Sequence, residues 1–315
     1  MKFLIWQTAF LGDVVLSTPL IRTVKENFPN ASILFVGRPF IKDLLKGYKI
    51  TLLPFSKGLI ESFSIVNKIK ICNIAIVPHR SLRTALIIGF SGIERRIGFD
   101  RSELSVVFTD KIPHKWELHE VERNLQLLSP LNVEKYLKDP LLFLEEEETE
   151  RVLRKFNLRS GTYVVVNPFS NFPLKEWYIE GWNQLIKAIG KSYEIVITGL
   201  PSDKFKAEKL KGNFKNLVGK TSLRELMGII KGARLVISND SSPVHIANAL
   251  GVPAITVYTA TSPEYGFYPL IGEFVRNPAD CSPCSPNPKK CLRGTLECLR
   301  SVTPELVLKS VEKFL

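Results

Sequence analysis

The feature that most constrains the fold of this chain is an alternation of short β-rich runs with amphipathic helical stretches, and this alternation occurs twice. The first series predicts strands at 3–6, 32–36, 50–53 and 74–77, with a helix from the turn at Gly12 through Lys25. The second predicts strands at 163–166, 194–199, 216–218 and 235–238, and a last strand at 254–258. Strands that alternate with helices are typical of parallel sheets covered on both faces. The sequence therefore predicts an α/β protein of two doubly wound, Rossmann-like domains that face a cleft.

A charged helix at 142–156, with four consecutive glutamates, ends the first series. We interpret its acidic run as a solvated helix face near the domain boundary. The predicted domains are residues 1–155 and 156–315. Ligands of doubly wound sheets bind at the carboxyl ends of the strands, so we expect functional residues in the loops that follow strands.

The charge balance points to an anionic partner. The 315 residues include 43 Lys and Arg against 31 Asp and Glu, a formal net charge of +12. Such a surplus favours nucleic acid, an acidic membrane surface or a phosphorylated ligand. No apolar run approaches the roughly 20 residues of a membrane-spanning helix, and Gln7 interrupts the apolar start, which predicts a buried strand rather than a signal peptide. We expect a cytoplasmic protein.

The turn after the first strand carries the first candidate for chemistry. Gly12 and Asp13 stand where strand one runs into a helix, but the further glycines of a dinucleotide-binding fingerprint are missing. Asp13 has two interpretations. It is either an N-cap of the helix or a general base at the mouth of the cleft.

A second candidate is the loop at 239–245, which follows a predicted strand and opens a helix. Asp240 and Ser241 offer acceptors, and free N–H groups at the helix start can hold a diphosphate. His245 lies one turn further, on the side of Ser241. The alternative is a capped helix with a packed histidine.

Lys175 lies in a strand-to-helix loop that Pro168 and Pro173 stiffen. This position makes it a candidate for phosphate binding, and the alternative is an ordinary solvated lysine.

Four of the five cysteines are clustered late in the chain. They have the ligand count of a zinc site, but the second pair lacks the close spacing of a zinc ribbon. Disulfides and buried free thiols are the alternatives. The cluster consists of Cys281, Cys284, Cys291 and Cys298.

Six motifs occur in a specific order along most of the chain. They are GDVVLSTPL at 12–20, SLRTAL at 81–86, RRIG at 95–98, HEVERN at 119–124, SNDSSPVHIA at 238–247 and ALGVP at 249–253. The tail adds TSP at 261–263 and CSPC at 281–284. Together these segments, from residue 12 to about residue 300, resemble the ADP-heptose:lipopolysaccharide heptosyltransferases of glycosyltransferase family 9, and the tail is more similar to the second heptosyltransferases than to the first.

The resemblance implies a two-domain glycosyltransferase B fold and a glycosyltransferase activity. If the acceptor attacks in one direct displacement, the enzyme inverts the configuration at the anomeric carbon. The N-terminal domain would bind the inner core of lipopolysaccharide, whose acidic sugars are linked to lipid A, and the C-terminal domain would bind ADP-heptose. By resemblance, Asp13 is the general base and Lys175 contacts the donor phosphates. The donor-binding residues would be Ser170, Asp240, Ser241, Ser242 and His245.

Two departures from the family pattern bear on the donor. Ser242 replaces a frequent glycine, and NPFS at 167–170 replaces the usual Pro-Gly-Ala run. Transfer of a sugar from another nucleotide sugar is therefore an alternative function on the same fold.

For the acceptor side we single out four arginines, for which ordinary solvated side chains are the alternative. The expected chemistry requires no cofactor, but the cysteine cluster could hold a structural zinc.

We expect peripheral contact with the inner face of the inner membrane. A nucleic-acid-binding protein is the rival of another class, but no zinc-finger, RRM or KH signature supports it, so we expect no nucleic-acid partner. The arginines are Arg80, Arg83, Arg95 and Arg96.

Overall fold

The computed structural model describes residues 1–315. The chain divides into two units, Met1–Phe143 and Leu144–Leu315, and each contains one six-stranded sheet. Every neighbouring pair of strands in both sheets is parallel. The predicted α/β class with two doubly wound domains is confirmed.

The sheet of the first unit has the order β3-β2-β1-β4-β5-β6. Its strands are β1 (Lys2–Trp6), β2 (Ser32–Gly37), β3 (Thr51–Pro54), β4 (Ile74–Val77), β5 (Arg95–Phe99) and β6 (Asp110–Ile112). The helices are α1 (Leu11–Leu16), α2 (Thr18–Asn27), α3 (Ile41–Leu44), α4 (Leu59–Ile69), α5 (Leu82–Gly89) and α6 (Glu120–Gln126), with 3-10 turns at Ser105–Val107 and Ser129–Leu131.

The helix predicted from Gly12 through Lys25 is two helices, and Pro19 is the physical reason. Proline has no N–H, so it cannot donate to the carbonyl of Val15 as a continuing helix requires. The hydroxyl of Thr18 donates to that carbonyl at 2.7 Å instead. The chain therefore ends α1 at Leu16 and begins α2 at Thr18.

The sheet of the second unit has the order β12-β11-β10-β7-β8-β9. Its strands are β7 (Tyr163–Asn167), β8 (Glu194–Ile197), β9 (Lys215–Asn216), β10 (Leu235–Asn239), β11 (Ala254–Tyr258) and β12 (Gly272–Arg276). The helices are α7 (Glu146–Lys155), α8 (Ile179–Ile189), α9 (Lys204–Ala207), α10 (Leu223–Lys231), α11 (Ser242–Ala249) and α12 (Pro304–Val311). 3-10 turns lie at Pro173–Lys175, Pro201–Asp203, Pro263–Tyr265 and Glu297–Leu299.

The structure divides the chain between residues 143 and 144, earlier than the predicted 155/156. The reason is that α7 packs against α10 of the second unit. The guanidinium of Arg224 forms an ion pair with the carboxylate of Glu148, and Lys231 lies 3.0 Å from Glu146. Part of the glutamate run therefore docks α7 onto its neighbour, which the expectation of a purely solvated face missed.

Three strands were missed by the sequence analysis, namely β5, β6 and β12. β5 opens with two arginines, β6 has only three residues, and β12 pairs with one neighbour and leaves most of its side chains partly exposed. Short or edge strands carry little apolar alternation, so their sequences resemble loops. The expectation that the strand at 254–258 is the last was wrong, because β12 follows it.

Candidate active site

Four of the predicted residues follow the strands at which each sheet reverses its order. In the first sheet β1 lies between β2 and β4, and in the second β7 lies between β10 and β8. Ligands of open α/β sheets bind in the crevice at the carboxyl ends of such strands. Asp13 follows β1 and Arg80 follows β4, whereas Lys175 follows β7 and Asp240 follows β10. The structure therefore places one predicted pair at each reversal point.

Asp13 caps its own helix. Its Oδ2 accepts a hydrogen bond from the backbone N–H of Phe10 at 3.1 Å, so the N-cap region of α1 is satisfied by a carboxylate three residues further on. The side chain is half-buried. It also interacts electrostatically with Arg80. Burial lowers the pKa of Arg80, and the carboxylates of Glu120 and Asp13 raise it. The capping interpretation is thus seen, and it keeps the carboxylate beside a cation.

Arg80 is held against an aromatic ring. Its guanidinium carbon lies 5.1 Å from the ring centroid of Trp116, within cation–π range. The loop of Trp116 is fixed by Arg123, which donates to the Trp116 carbonyl at 3.1 Å and forms a 2.7 Å ion pair with Glu120. Arg123 is buried. Trp116 was missed by the sequence analysis, although the HEVERN motif that fixes it was noticed.

Two histidines near this edge were also missed. Nδ1 of His79 lies 3.0 Å from Oγ1 of Thr8, which joins the ends of β1 and β4. Burial, with Lys57 and Arg80 nearby, lowers the pKa of His79 to about 4. Burial, with Arg80 and Arg123 nearby, does the same for His114. Both are therefore neutral near pH 7 and are no stronger as bases than an ordinary carboxylate.

Arg95 and Arg96 lie at the opposite edge of the sheet from Asp13. They begin β5, and Arg95 pairs in register with Ile74, the first residue of β4. Arg95 forms a 3.1 Å ion pair with Asp110, and Arg96 donates to the carbonyl of Val107 at 2.7 Å. These contacts hold the outer strand, so we withdraw both residues from the acceptor site.

Arg83 lies in the first turn of α5, exposed, and its guanidinium donates to the carbonyl of Lys57. Arg83 lies near the same edge of the sheet as Arg80. Its hydrogen bond, however, is with Lys57, which precedes α4. Arg101, which the sequence analysis did not single out, is close enough to Arg80 and His114 to lower the pKa of both. Arg80 therefore lies near both Asp13 and Arg101.

In the second unit, Lys175 and Asp240 form an ion pair. Nζ of Lys175 lies 2.7 Å from Oδ2 of Asp240, and their side chains are 12% and 11% exposed. Lys175 ends the 3-10 turn that begins at Pro173, and its backbone N–H donates to the carbonyl of Phe172. The lysine is therefore fixed at the end of the sheet rather than solvated.

The other predicted donor-binding residues surround this pair. The N–H of Ser170 donates to Oε1 of Glu176 at 2.9 Å, which fixes the loop after β7. Ser241 is the N-cap residue of α11, but its hydroxyl lies 2.9 Å from that of Ser238 and does not cap the helix. Ser242 begins α11, and His245 is buried one turn further. The first-turn amides of α11 thus have no side-chain cap, as an anion site requires.

Buried polar atoms without a hydrogen-bond partner lie on β10, β11 and the loop that follows β11. They are the hydroxyls of Thr256, Tyr258 and Thr261 and Nδ2 of Asn239. Burial, with the Asp240 carboxylate nearby, raises the pKa of Tyr258, so its O–H stays a donor. A buried polar atom without a hydrogen bond costs free energy. A polar ligand that binds here would supply the missing hydrogen bonds. Sequence reasoning had no signal for them, since threonine and tyrosine are ordinary strand residues.

The cysteine cluster lies against the Lys175 loop. The N–H of Cys284 donates to the Ala260 carbonyl at 2.9 Å, and the hydroxyl of Thr259 donates to the carbonyl of Leu174 at 2.7 Å. Cys298 is buried against Leu174 and Ala260. Through these contacts, the segment that carries the cysteines supports the residue that precedes Lys175.

All five cysteines are free, so the disulfide alternative is not seen. No group of three or more His, Cys, Asp or Glu side chains is placed to hold a metal ion. Burial and the neighbouring cysteines raise the pKa of the Cys298 thiol to about 11. The residues as placed therefore do not fit a structural zinc, and no step below uses one. No helix in the chain has the length and apolar character to cross a membrane.

Comparison with known proteins gives one consistent result. The model of glycosyltransferase family 9 (heptosyltransferase) matches residues 63–292. Lipopolysaccharide heptosyltransferase 2 of Escherichia coli (strain K12) is 25% identical over 296 residues, which cover 84% of each chain.

Two solved structures share the fold along the whole chain. A glycosyl transferase family 9 protein from Veillonella parvula superposes with a TM-score of 0.80 at 20% identity and covers 99% of this chain and 96% of its own. The E. coli ADP-heptose lps heptosyltransferase II gives 0.79 at 22% identity, with coverage of 100% and 98%. The predicted glycosyltransferase B fold is confirmed.

Proposed function

Because this chain belongs to glycosyltransferase family 9, the heptosyltransferases, we propose that it transfers heptose from ADP-heptose to the inner core of lipopolysaccharide. The observation that carries the proposal is the family match over residues 63–292. The curated relative that it resembles is named a lipopolysaccharide heptosyltransferase. The geometry agrees, since each sheet has charged residues at its reversal point.

We assign the donor to the second unit. A nucleoside diphosphate needs cations and N–H or O–H donors, and this unit supplies Lys175, the uncapped start of α11 and the unpaired hydroxyl of Tyr258. Asp240 holds Lys175 in place, and its remaining oxygen lone pairs can accept from sugar hydroxyls. Ser170, Ser241, Ser242 and His245 line the same loops and complete the proposed donor site.

The acceptor is assigned to the first unit, with Asp13 as general base. A sugar hydroxyl is a poor nucleophile near neutral pH, so a carboxylate that accepts its proton as the new bond forms accelerates attack. The oxygen of the acceptor attacks the anomeric carbon, the bond from that carbon to the diphosphate oxygen breaks, and ADP leaves. A single displacement of this kind inverts the anomeric configuration.

The departing diphosphate develops negative charge, and fixed donors stabilise it. Lys175 and the α11 amides are the groups placed to do so. In this mechanism the protein's own cation and amides stabilise the negative charge on the departing diphosphate, and no cofactor takes part. A chelator should therefore leave turnover unchanged.

Arg80 and Arg101 fit an acceptor that bears acidic groups. Arg80 lies near Asp13 at the carboxyl edge of the sheet and is oriented by Trp116, and Arg101 lies near Arg80. Because the proposed acceptor is linked to lipid A, we place the enzyme peripherally at the cytoplasmic face of the inner membrane. The net charge of +12 supports attraction to such a surface.

Release of ADP tests the proposed function. Purified protein is mixed with an inner-core acceptor and one donor at a time, which is ADP-heptose, ADP-glucose or UDP-glucose. The released ADP or UDP is followed by a coupled assay. ADP release that needs both ADP-heptose and the acceptor supports the proposal. Equal or faster transfer from another nucleotide sugar would favour the same-fold alternative, which the serine at 242 motivates.

A further inference from the structure

Two neighbouring helices of the first unit present apolar side chains to solvent. At the start of α4, Leu59, Ile60 and Phe63 are 75%, 87% and 79% exposed. On α5, Leu82 and Leu86 are exposed with the spacing of one helix face, and Phe90 continues that row at 76%. We call these six side chains the apolar face. A cluster of this kind on a protein surface marks an interaction site more often than single exposed residues do.

Both helices cover the same side of the sheet. Ile65 and Ile69 of α4 pack in one core cluster with Ile87 and Ile88 of α5, against alternate residues of β1, β2 and β4. Each helix follows a strand of a parallel sheet, so each begins at the carboxyl edge. The guanidinium of Arg83 donates to the Lys57 carbonyl, which joins the two helix starts. Asp13 and Arg80 follow strands at this same edge.

The apolar face has a cationic border. Lys57 lies near Arg38 and Arg83. Burial and the charges of these two arginines lower the pKa of Lys57. None of the three forms an ion pair.

The two nearby carboxylates are already bound to backbone groups. Glu61 accepts the N–H of Ser56 at 2.8 Å, and Glu103 accepts that of Leu82 at 2.6 Å. Uncompensated cations beside exposed aromatic and aliphatic side chains fit a surface that is anionic at the headgroups and apolar beneath.

We propose that the apolar face docks the protein onto an anionic lipid bilayer, with Leu59, Ile60 and Phe63 inserted among the headgroups and Arg38, Lys57 and Arg83 against lipid phosphates. The proposal rests on the proposed function in one respect, because it explains how a lipid-linked acceptor would reach Asp13. Docking brings the carboxyl edge of the first sheet to the membrane, where such an acceptor is anchored.

Co-sedimentation with vesicles tests the docking without either substrate. Wild-type protein is spun with vesicles of phosphatidylcholine and phosphatidylglycerol, and with phosphatidylcholine alone. We expect binding to the anionic vesicles that weakens in high salt. The double variant I60E/F63E should bind about 100-fold more weakly, at about tenfold per apolar side chain lost from the interface. Both side chains are exposed, so the fold should be unaffected.

The matched control is Phe205→Glu on α9, which changes an equally exposed aromatic side chain of the second unit. It should bind vesicles like the wild type. Equal loss in the control, or wild-type protein that stays in the supernatant, would overturn the proposal. Gel filtration adds a third outcome: a wild-type dimer that I60E/F63E converts to a monomer, with no vesicle binding, would make the face an interface between copies.

Two acceptors separate this inference from the proposed function. I60E/F63E should keep wild-type turnover on a delipidated core oligosaccharide and lose it on acceptor embedded in vesicles. Vesicle binding without heptose transfer to either acceptor would refute the proposed function and leave the docking face standing. Heptose transfer with equal turnover of wild type and variant on embedded acceptor would refute the docking face alone.

Discussion

Nζ of Lys175 lies 2.7 Å from Oδ2 of Asp240, and this ion pair joins the loops that follow β7 and β10 across the reversal point of the second sheet. Both side chains are largely buried, so each charge depends on the other for compensation. An ammonium group has three N–H donors, and the pair uses one of them. Lys175 is therefore held in place by Asp240 and still has donors for a diphosphate.

Lys175→Ala should lower both stability and turnover. It leaves the Asp240 carboxylate buried and unpaired, which costs about 3 kcal/mol of unfolding free energy. It also removes a cation that faces the leaving diphosphate, so we expect turnover to fall by roughly 100-fold or more. Denaturant unfolding and steady-state ADP release measure the two effects.

The double variant K175A/D240A separates these effects. Removal of both charges should restore much of the lost stability without restoring turnover. Lys313→Ala is the matched control, because Lys313 lies 2.6 Å from Glu273 in a more exposed pair and should cost at most about 1 kcal/mol with full turnover. If the double variant regained activity, Lys175 would be a structural residue only.

Asp13→Asn should keep the fold and lose the chemistry. Asparagine retains a side-chain oxygen that can accept the N–H of Phe10, so the cap of α1 survives. It cannot take the proton of the acceptor hydroxyl, so turnover should drop roughly 100-fold or more. Asp13→Ala, which also loses the cap, should unfold about 1 kcal/mol more easily than Asp13→Asn. Near-normal turnover of the asparagine variant would restrict Asp13 to capping.

The general architecture could be predicted because buried parallel strands are continuous apolar runs. Tyr163–Asn167 and Ala254–Tyr258 are buried on both faces, and each is a nearly continuous run of apolar residues. The charged strand start at Arg95 gave no such signal, because its side chains bind Asp110 and backbone carbonyls at the sheet margin. The sequence therefore did not show that this arginine begins a strand at the edge of the sheet opposite Asp13.

The candidate site was predictable only in part. Asp13, Lys175 and Asp240 could be found because they follow strands, and position relative to a strand can be read along the chain. Trp116 and Tyr258 could not, because their roles depend on contacts between segments distant in sequence. Arg80 meets Trp116 and Tyr258 lies near Asp240 only in the folded protein.

The stability of the fold should decrease as the pH falls from about 6.5 to about 4. In the unfolded chain a histidine titrates near 6.5, whereas the pKa values of His79 and His114 are about 4 in the fold. Between these values the unfolded state binds more protons, so acid favours unfolding. Above about pH 6.5 these histidines contribute no pH dependence.

Thermal unfolding of wild type and His114→Phe across this pH range tests the point. Phenylalanine keeps an aromatic ring between Phe99 and Trp116 but cannot titrate, and Nδ1 of His114 has no hydrogen bond to lose. The variant should lose less stability at low pH than the wild type. Parallel pH curves for the two proteins would contradict the lowered pKa of His114.

Alkylation should distinguish the cysteines of the cluster. Backbone N–H groups of residues 293–296 lower the pKa of Cys291, whereas burial raises that of Cys298 to about 11. Thiolate is the reactive form, so iodoacetamide near pH 7.5 should modify Cys291 first and Cys298 last. Peptide mass spectrometry gives the order, with Cys291→Ser as control. If all four cysteines are protected from alkylation and a chelator removes that protection, the cluster binds a metal.

Mass analysis of the acceptor tests whether the protein transfers heptose with Asp13 as the base. Inner-core acceptor is incubated with ADP-heptose and either wild type or Asp13→Asn, and the acceptor mass is followed over time. We predict that the wild type adds one heptosyl unit and that the variant, folded and still able to bind ADP-heptose, adds it roughly 100-fold more slowly or not at all. An acceptor of unchanged mass with the wild type would refute heptose transfer, and equal rates for both proteins would refute Asp13 as the base.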